Sequence, residues 1–183
     1  MISKDIASCS SEAAPETKVP PHAASEGKSR GVHTILRKKA MDLLARREHA
    51  VVELQQKVQA YAKKQELDER EVAIVIEELL DDGLVSDERF TEAFVRYRRN
   101  NGYGPRRIQT ELRERGVSEK IQAAYLDFAD PQWLEQVAQV RCKRFGESLP
   151  EDYKERARQA RFLQYRGFTT DQARWALAGD DAD

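Results

Sequence analysis

The sequence predicts an all-α protein built from small helical modules repeated in tandem in an elongated arrangement. Three observations lead there. From about residue 33 onward, apolar residues recur three and four positions apart, the spacing of a buried helical stripe. Glycine, proline and short hydroxyl or carboxylate residues interrupt this pattern at helix-length intervals. The stretch around Gly116 is echoed around Gly167. No run of β-branched residues alternates with polar ones for long enough to suggest a strand.

Taken in order, Leu36, Ala40, Leu43 and Leu44 form the first stripe, and Val51, Leu54, Val58 and Tyr61 the second. Asp68 and Glu71 have the spacing of a capping box and predict a helix start ahead of Val72, Val75, Ile76, Leu79 and Leu80. Gly83 suits the left-handed stop of that helix. Ser86 opens the next, with Phe90, Ala93, Phe94 and Tyr97 inward, and Asn100-Asn101-Gly102 ends it. Gly104 permits a turn and Pro105 begins a helix whose stripe is Ile108 and Leu112, closed by Gly116. Ser118 caps a helix with Ile121, Ala124, Tyr125 and Phe128 inward. Asp130-Pro131 starts the segment of Trp133, Val137 and Val140, which stops at Gly146. Leu149-Pro150 opens a helix through Tyr153, Ala157, Ala160 and Leu163, ended by Gly167. Thr169 or Thr170 caps a last helix containing Ala173, Ala176 and Leu177.

The internal repeat aligns Leu112 to Ser118 with Leu163 to Thr169: an apolar helix residue, a polar turn, a glycine stop, an apolar anchor and a hydroxyl cap. A looser copy is expected at Glu53 to Val58, with an insertion before Asp68. One helical hairpin cannot bury its own stripe, so neighbouring copies must stack. The expected organisation is a disordered leader over 1–30, rich in Ser, Ala, Glu and Pro, then repeats over 31–85, 86–130 and 131–183, the last with a short acidic tail.

Composition narrows the function. Of 183 residues 34% are charged, and 31 Lys plus Arg nearly balance 32 Asp plus Glu, so any partner preference must lie in local charge. Cys9 and Cys142 make no disulfide framework, which points to a reducing cytoplasm. No window approaches the ~20 apolar residues of a membrane span, and the N-terminus lacks the layout of a secretory signal. His22, His33 and His49 offer no metal-ligand spacing, and His49 reads as a residue at a helix start. Gly27-Lys28-Ser29 lacks both the earlier glycine and the strand of a phosphate-binding loop. Neither a catalytic constellation nor a cofactor site is expected, and the chain reads as a monomeric binding protein, not an enzyme.

The densest signal is basic. Arg96, Arg98, Arg99, Arg106, Arg107, Arg113 and Arg115 crowd between Phe94 and Gly116, opposed by Glu111 and Glu114, with Tyr97 and Tyr103 among them. Guanidinium forks suit phosphates and carboxylates and stack on aromatic rings. The candidate partner- or nucleic-acid-binding residues are therefore Arg96, Arg98, Arg99, Tyr103, Arg106, Arg107 and Arg113. A solvated helix face paired with local glutamates has the same composition.

The strings Asp87-Glu88-Arg89-Phe90-Thr91-Glu92-Ala93-Phe94-Val95-Arg96, Asn101-Gly102-Tyr103-Gly104-Pro105-Arg106-Arg107-Ile108 and Glu111-Leu112-Arg113-Glu114-Arg115-Gly116-Val117 closely resemble the RecX family of RecA regulators. Leu43 to His49 and Gly83-Leu84-Val85 add to the likeness, which covers about residues 34–178. The resemblance implies tandem three-helix repeats that lodge in the RecA filament on single-stranded DNA and inhibit strand exchange and ATP hydrolysis, with direct DNA contact as a further expectation. It would place the protein in the control of recombination and the SOS response. A stand-alone nucleic-acid-binding helical module is the alternative. The stretch Gln59 to Leu67 and the leader are longer than that pattern requires.

Overall fold

A computed structural model describes residues 21–178. Among them the chain runs through helices α1 (Pro21–Leu44), α2 (Val51–Lys64), α3 (Arg70–Asp81), α4 (Asp87–Asn100), α5 (Pro105–Glu114), α6 (Glu119–Tyr125), α7 (Gln132–Phe145), α8 (Tyr153–Arg166) and α9 (Thr170–Ala178), with no strand. The helix starts follow their capping chemistry. Ser86 Oγ accepts the Arg89 N–H at 3.3 Å, Ser118 Oγ that of Ile121 at 3.4 Å, and Asp152 Oδ1 that of Glu155 at 2.6 Å. Thr169 and Gln172 form a reciprocal capping box: Thr169 Oγ1 accepts the Gln172 N–H and Gln172 Oε1 accepts that of Thr169.

Several local expectations are corrected. Helix α1 begins at Pro21, so residues 21–30 are helical and not part of a disordered leader; residues 1–20 lie outside the described residues. Proline suits the first helical position, and farther along Ser29 Oγ ties the helix to Glu71 at 2.5 Å. That hydroxyl occupies Glu71, so the Asp68–Glu71 box does not form, and Asp68 Oδ1 accepts the Arg70 N–H instead. On α4 the fully inward residues are Phe90, Thr91 and Val95, while Tyr97 is 62% exposed. On α6, only seven residues long, Gln122 is buried and Ala124 and Tyr125 face out; Leu126, just past its end, turns inward. Tyr153 is 87% exposed because α8 starts there, beyond the buried Pro150.

The repeat is more regular than the sequence suggests. The third and second copies close with Phe168 N–H to Leu163 O at 3.1 Å and Val117 N–H to Leu112 O at 3.2 Å, across Gly167 (φ +94°) and Gly116 (φ +79°). The same bond joins Leu67 N–H to Ala62 O at 3.0 Å, across Glu66 at φ +55°. The first copy is thus Ala62 to Asp68, with no insertion, and not Glu53 to Val58. A glutamate in the left-handed position, where glycine is usual, hides it.

Helices α1–α3 pack around Leu36, Ala40, Leu54, Val58, Val72, Val75 and Leu79. Helices α4–α9 share a second core that includes Ile108, Leu112, Val117, Trp133, Val137, Leu163 and Phe168. Burying each of the Val, Leu, Ile and Phe side chains contributes about 1.5–3 kcal/mol. Between the two cores lies a polar corner. His49 is 2% exposed, its Nδ1 2.9 Å from the Arg47 carbonyl and its Nε2 3.2 Å from Lys57 Nζ. The neutral ring donating to the carbonyl and accepting from the ammonium satisfies both contacts; burial, with Arg47 and Lys57 nearby, holds its pKa below the ordinary value. His49 is therefore a loop residue ahead of α2 with a structural task. Burial pushes the Glu53 carboxyl up, but Arg47 at 2.5 Å and Lys57 at 3.0 Å outweigh that and bring it down to about 2.

The units join through glycine. Gly104 N–H donates to Arg166 O at 2.9 Å and Arg106 N–H to Gly167 O at 3.0 Å, so the open carbonyls of the α8 end receive the open N–H groups of the α5 start. A Cβ on Gly104 would lie 2.3 Å from Phe168 N, and one on Gly167 2.3 Å from Arg107 Cβ. Gly104 has φ −85°, so it is needed for this close approach and not for a turn. Gly116 meets Val52 of α2 in the corresponding way, a Cβ there falling 2.6 Å from Val52 Cγ2, while Asp87 Oδ1 accepts the Val51 N–H at 2.9 Å. The second helix of the first unit and that of the second unit thus each start against the glycine turn of the unit that follows.

Three outcomes follow for stability in urea. Gly104→Ala forces backbone from backbone and costs about 3 kcal/mol, whereas Glu66→Gly relieves a left-handed non-glycine residue and adds about 1 kcal/mol. Glu53 has a folded pKa below its unfolded value, so its stabilisation is complete above the unfolded value near 4.5 and is lost as pH falls toward about 2. Glu53→Gln should therefore show a smaller drop in urea midpoint between neutral and strongly acidic pH than the parent; an equal drop contradicts the assignment.

Candidate partner-binding surface

The basic segment divides into arginines used inside the fold and arginines turned outward. Tyr103, between α4 and α5, is partly buried and surrounded by guanidinium groups: Arg98 at 4.9 Å, Arg107 at 4.8 Å and Arg166 at 5.3 Å from the ring centre. Glu111 lies beside them. Arg107 Nε donates to its Oε1 at 3.2 Å, and Arg98 Nη2 sits 2.6 Å from its Oε2 in a contact too bent for a directed hydrogen bond, so that pair is mainly electrostatic. Arg115 donates to the Glu111 carbonyl and lies over Phe94. The i,i+4 spacing of Arg107 and Glu111 on α5 builds one side of this cluster.

Arg99 is also committed. It stacks 4.1 Å over Trp133, with Nη2 2.7 Å from Asp130 Oδ2 and Nη1 2.7 Å from Gln132 Oε1. The Gln132 N–H at 2.9 Å, reinforced by Arg99 and opposed by burial, holds the Asp130 carboxyl below its usual range. This Asp130-Pro131 start therefore anchors α7 to α4.

Arg96, Arg106 and Arg113 point out. Arg96 and Arg113 have loose pairs, to Glu92 at 3.7 Å and Glu119 at 3.6 Å, with all four side chains more than half exposed. Such pairs contribute little and are readily exchanged for a partner's charge. Arg106 is exposed and has no carboxylate within 4.0 Å among the described residues. Its backbone N–H serves the joint between units while its side chain does not.

The structure brings in residues that the basic segment alone does not indicate. Arg166 reaches Tyr103 from α8, and its Nη1 donates to Asn101 O at 3.3 Å. Tyr165 lies 5.6 Å from Arg107. Gln136 on α7 donates to Arg99 O. Their distance in sequence hid them; the signal that could have found them is the alignment of the Gly167 and Gly116 turns. Among the described residues no group of three or more His, Cys, Asp or Glu could hold a metal, and no helix is long and apolar enough to cross a membrane.

These features define an all-helical protein of tandem three-helix units, joined where a helix start meets the next unit's glycine turn and presenting arginines. Residues 86–126 match the second three-helix domain of RecX and residues 130–177 the third. Regulatory protein RecX of Halorhodospira halophila is 46% identical over 148 residues, covering 81% of this chain and 89% of that protein. That of Pseudomonas syringae pv. tomato is 41% identical over 148 residues, covering 81% and 93%. The chain belongs to the RecX family of regulatory proteins. Crystal structures of RecX from Lactobacillus salivarius and of another regulatory protein RecX share the fold, each at 18% identity, with TM-scores of 0.65 and 0.71. The first covers 81% of this chain and 96% of its own, the second 91% and 82%.

The ring-and-guanidinium cluster has a direct check. Tyr103→Phe keeps the ring face and should leave the urea midpoint nearly unchanged, while Tyr103→Ala removes it and costs about 3 kcal/mol. An equally large loss in both would show that the hydroxyl, not the ring, holds the arginines, and no loss in either would remove Tyr103 from that task.

Proposed function

We propose that this chain binds the RecA nucleoprotein filament on single-stranded DNA and inhibits its recombinase and ATPase activities, thereby modulating DNA repair, recombination and the SOS response in the cytoplasm. The reading is carried by Arg96, Arg106 and Arg113, held outward on helices of a family whose relatives are regulatory proteins. All three lie on α4 and α5 of the second unit, and the packing of these helices against each other fixes their spacing, so the arginines meet an acidic surface or DNA phosphates together. Arg98, Arg99 and Arg107 contribute by keeping α4, α5 and α7 in register, and Tyr103 by clamping them. The same outward charges support direct DNA contact within the filament.

The test is the ATPase of RecA on single-stranded DNA, titrated with the full chain. Inhibition is expected, and none at any stoichiometry rejects the proposal. The triple variant R96E/R106E/R113E should fold as the parent does and require about tenfold more protein for half inhibition, or more, because each reversal replaces attraction with repulsion. Arg107→Glu should instead lower stability, since it sets a carboxylate beside Glu111. Parent-like inhibition by the folded triple variant would remove these arginines from the interface.

A further inference from the structure

On the α7–α8 side of the joint between the second and third units lies an open cleft of about 440 Å³. Its polar lining includes Asn101, Gln136, Gln139, Lys143, Arg144 and Arg166, and no carboxylate. Gln136, Gln139 and Lys143 lie on one stripe of α7, and Arg166 enters from α8. The comparable cavity beside Arg106 and Arg107 is lined also by Glu111 and Glu114, and the one beside Arg96 and Arg99 by Glu92, Asp127 and Asp130. Lys143, Arg144 and Arg166 have no carboxylate within 4.0 Å among the described residues. Arg166 is nevertheless fixed, by the Asn101 carbonyl at 3.3 Å and by the Tyr103 and Phe162 rings, each centred 5.3 Å away.

Basic residues near helix C-termini complement the helix dipole, and all three cations sit in such turns. That role leaves unexplained why cations from two helices converge on one cleft without an opposing acid. We propose that this cleft is a phosphate-binding site, taking the phosphodiester of a nucleic-acid strand, with a small phosphate anion as the other source of the same chemistry. Arg166 supplies a pre-positioned planar fork, Lys143 and Arg144 supply exposed charge, and the Gln139 amide, with the Asn101 N–H that is not given to the Tyr97 carbonyl, supplies further donors. The site is independent of any recombinase, so its failure would leave the inhibition of RecA untouched.

The experiment uses the full chain, the variant K143Q/R144Q and a control, K63Q/K64Q, whose lysines are exposed on α2. Fluorescence anisotropy follows a labelled oligothymidylate between about 50 and 200 mM salt, the range over which phosphate contacts dominate. NMR follows the Gly102 amide and the Gln139 side-chain amide during titration with pyrophosphate. The expected result is weaker oligonucleotide binding by K143Q/R144Q alone, with the log–log salt slope flatter by about 1.4, two single-strand phosphate contacts' worth. Pyrophosphate shifts that disappear in K143Q/R144Q, with oligonucleotide binding unchanged, keep the phosphate site and assign it to a small anion. If both probes treat parent and K143Q/R144Q alike, the proposal is overturned.

Discussion

The structure depends on the meeting of two helix ends. The last carbonyls of α8 and the first N–H groups of α5 are the groups that an α-helix leaves unpaired. Here Arg166 O and Gly167 O accept from the Gly104 and Arg106 N–H groups, so each end completes the other. Because backbone touches backbone, neither Gly104 nor Gly167 can carry a side chain. The two units consequently share one core, and the residues flanking the joint, Tyr103, Arg107 and Arg166, are forced together.

That crowding of cations is what two partly buried acids answer. Glu111 and Asp130 face Arg98, Arg107 and Arg99, and the rings of Tyr103, Phe94 and Trp133 spread the remaining charge over their faces. Arginine is suited to this place because its flat, weakly hydrated group can stack and pair at once. With those charges settled internally, the nearly balanced composition leaves local outward surplus at Arg96, Arg106 and Arg113 and around Lys143, Arg144 and Arg166. An outward basic surface and a structural joint are thus made from one basic segment, separated by the side of the helix on which each residue lies.

The first unit uses the same plan with looser parts. Val52 fills the place against Gly116 that backbone fills at the other joint, and a side chain, Asp87, caps Val51. Its own core stands apart from that of the other two units, with the His49 and Glu53 corner between them. The closing bond across Glu66 shows that the repeat geometry outlasts the residue usually chosen for it, because tertiary packing offsets the cost of a left-handed glutamate.

The sequence by itself determined the helical class, most helix ends and the pairing of the Gly116 and Gly167 turns, because apolar spacing, caps and glycine stops act within a few residues of chain. The same local strings, Arg89-Phe90 through Gly116-Val117, were enough to carry the family resemblance. Tertiary structure alone decided that Gly104 serves contact and not turning, that α6 turns Gln122 inward in place of Tyr125, and that Arg98, Arg99 and Arg107 are spent inside while Arg106 is not. A guanidinium looks the same in the sequence whether it faces Glu111 or water. Only the docking of α8 onto α5, between residues some sixty positions apart, sets which of those surroundings it meets.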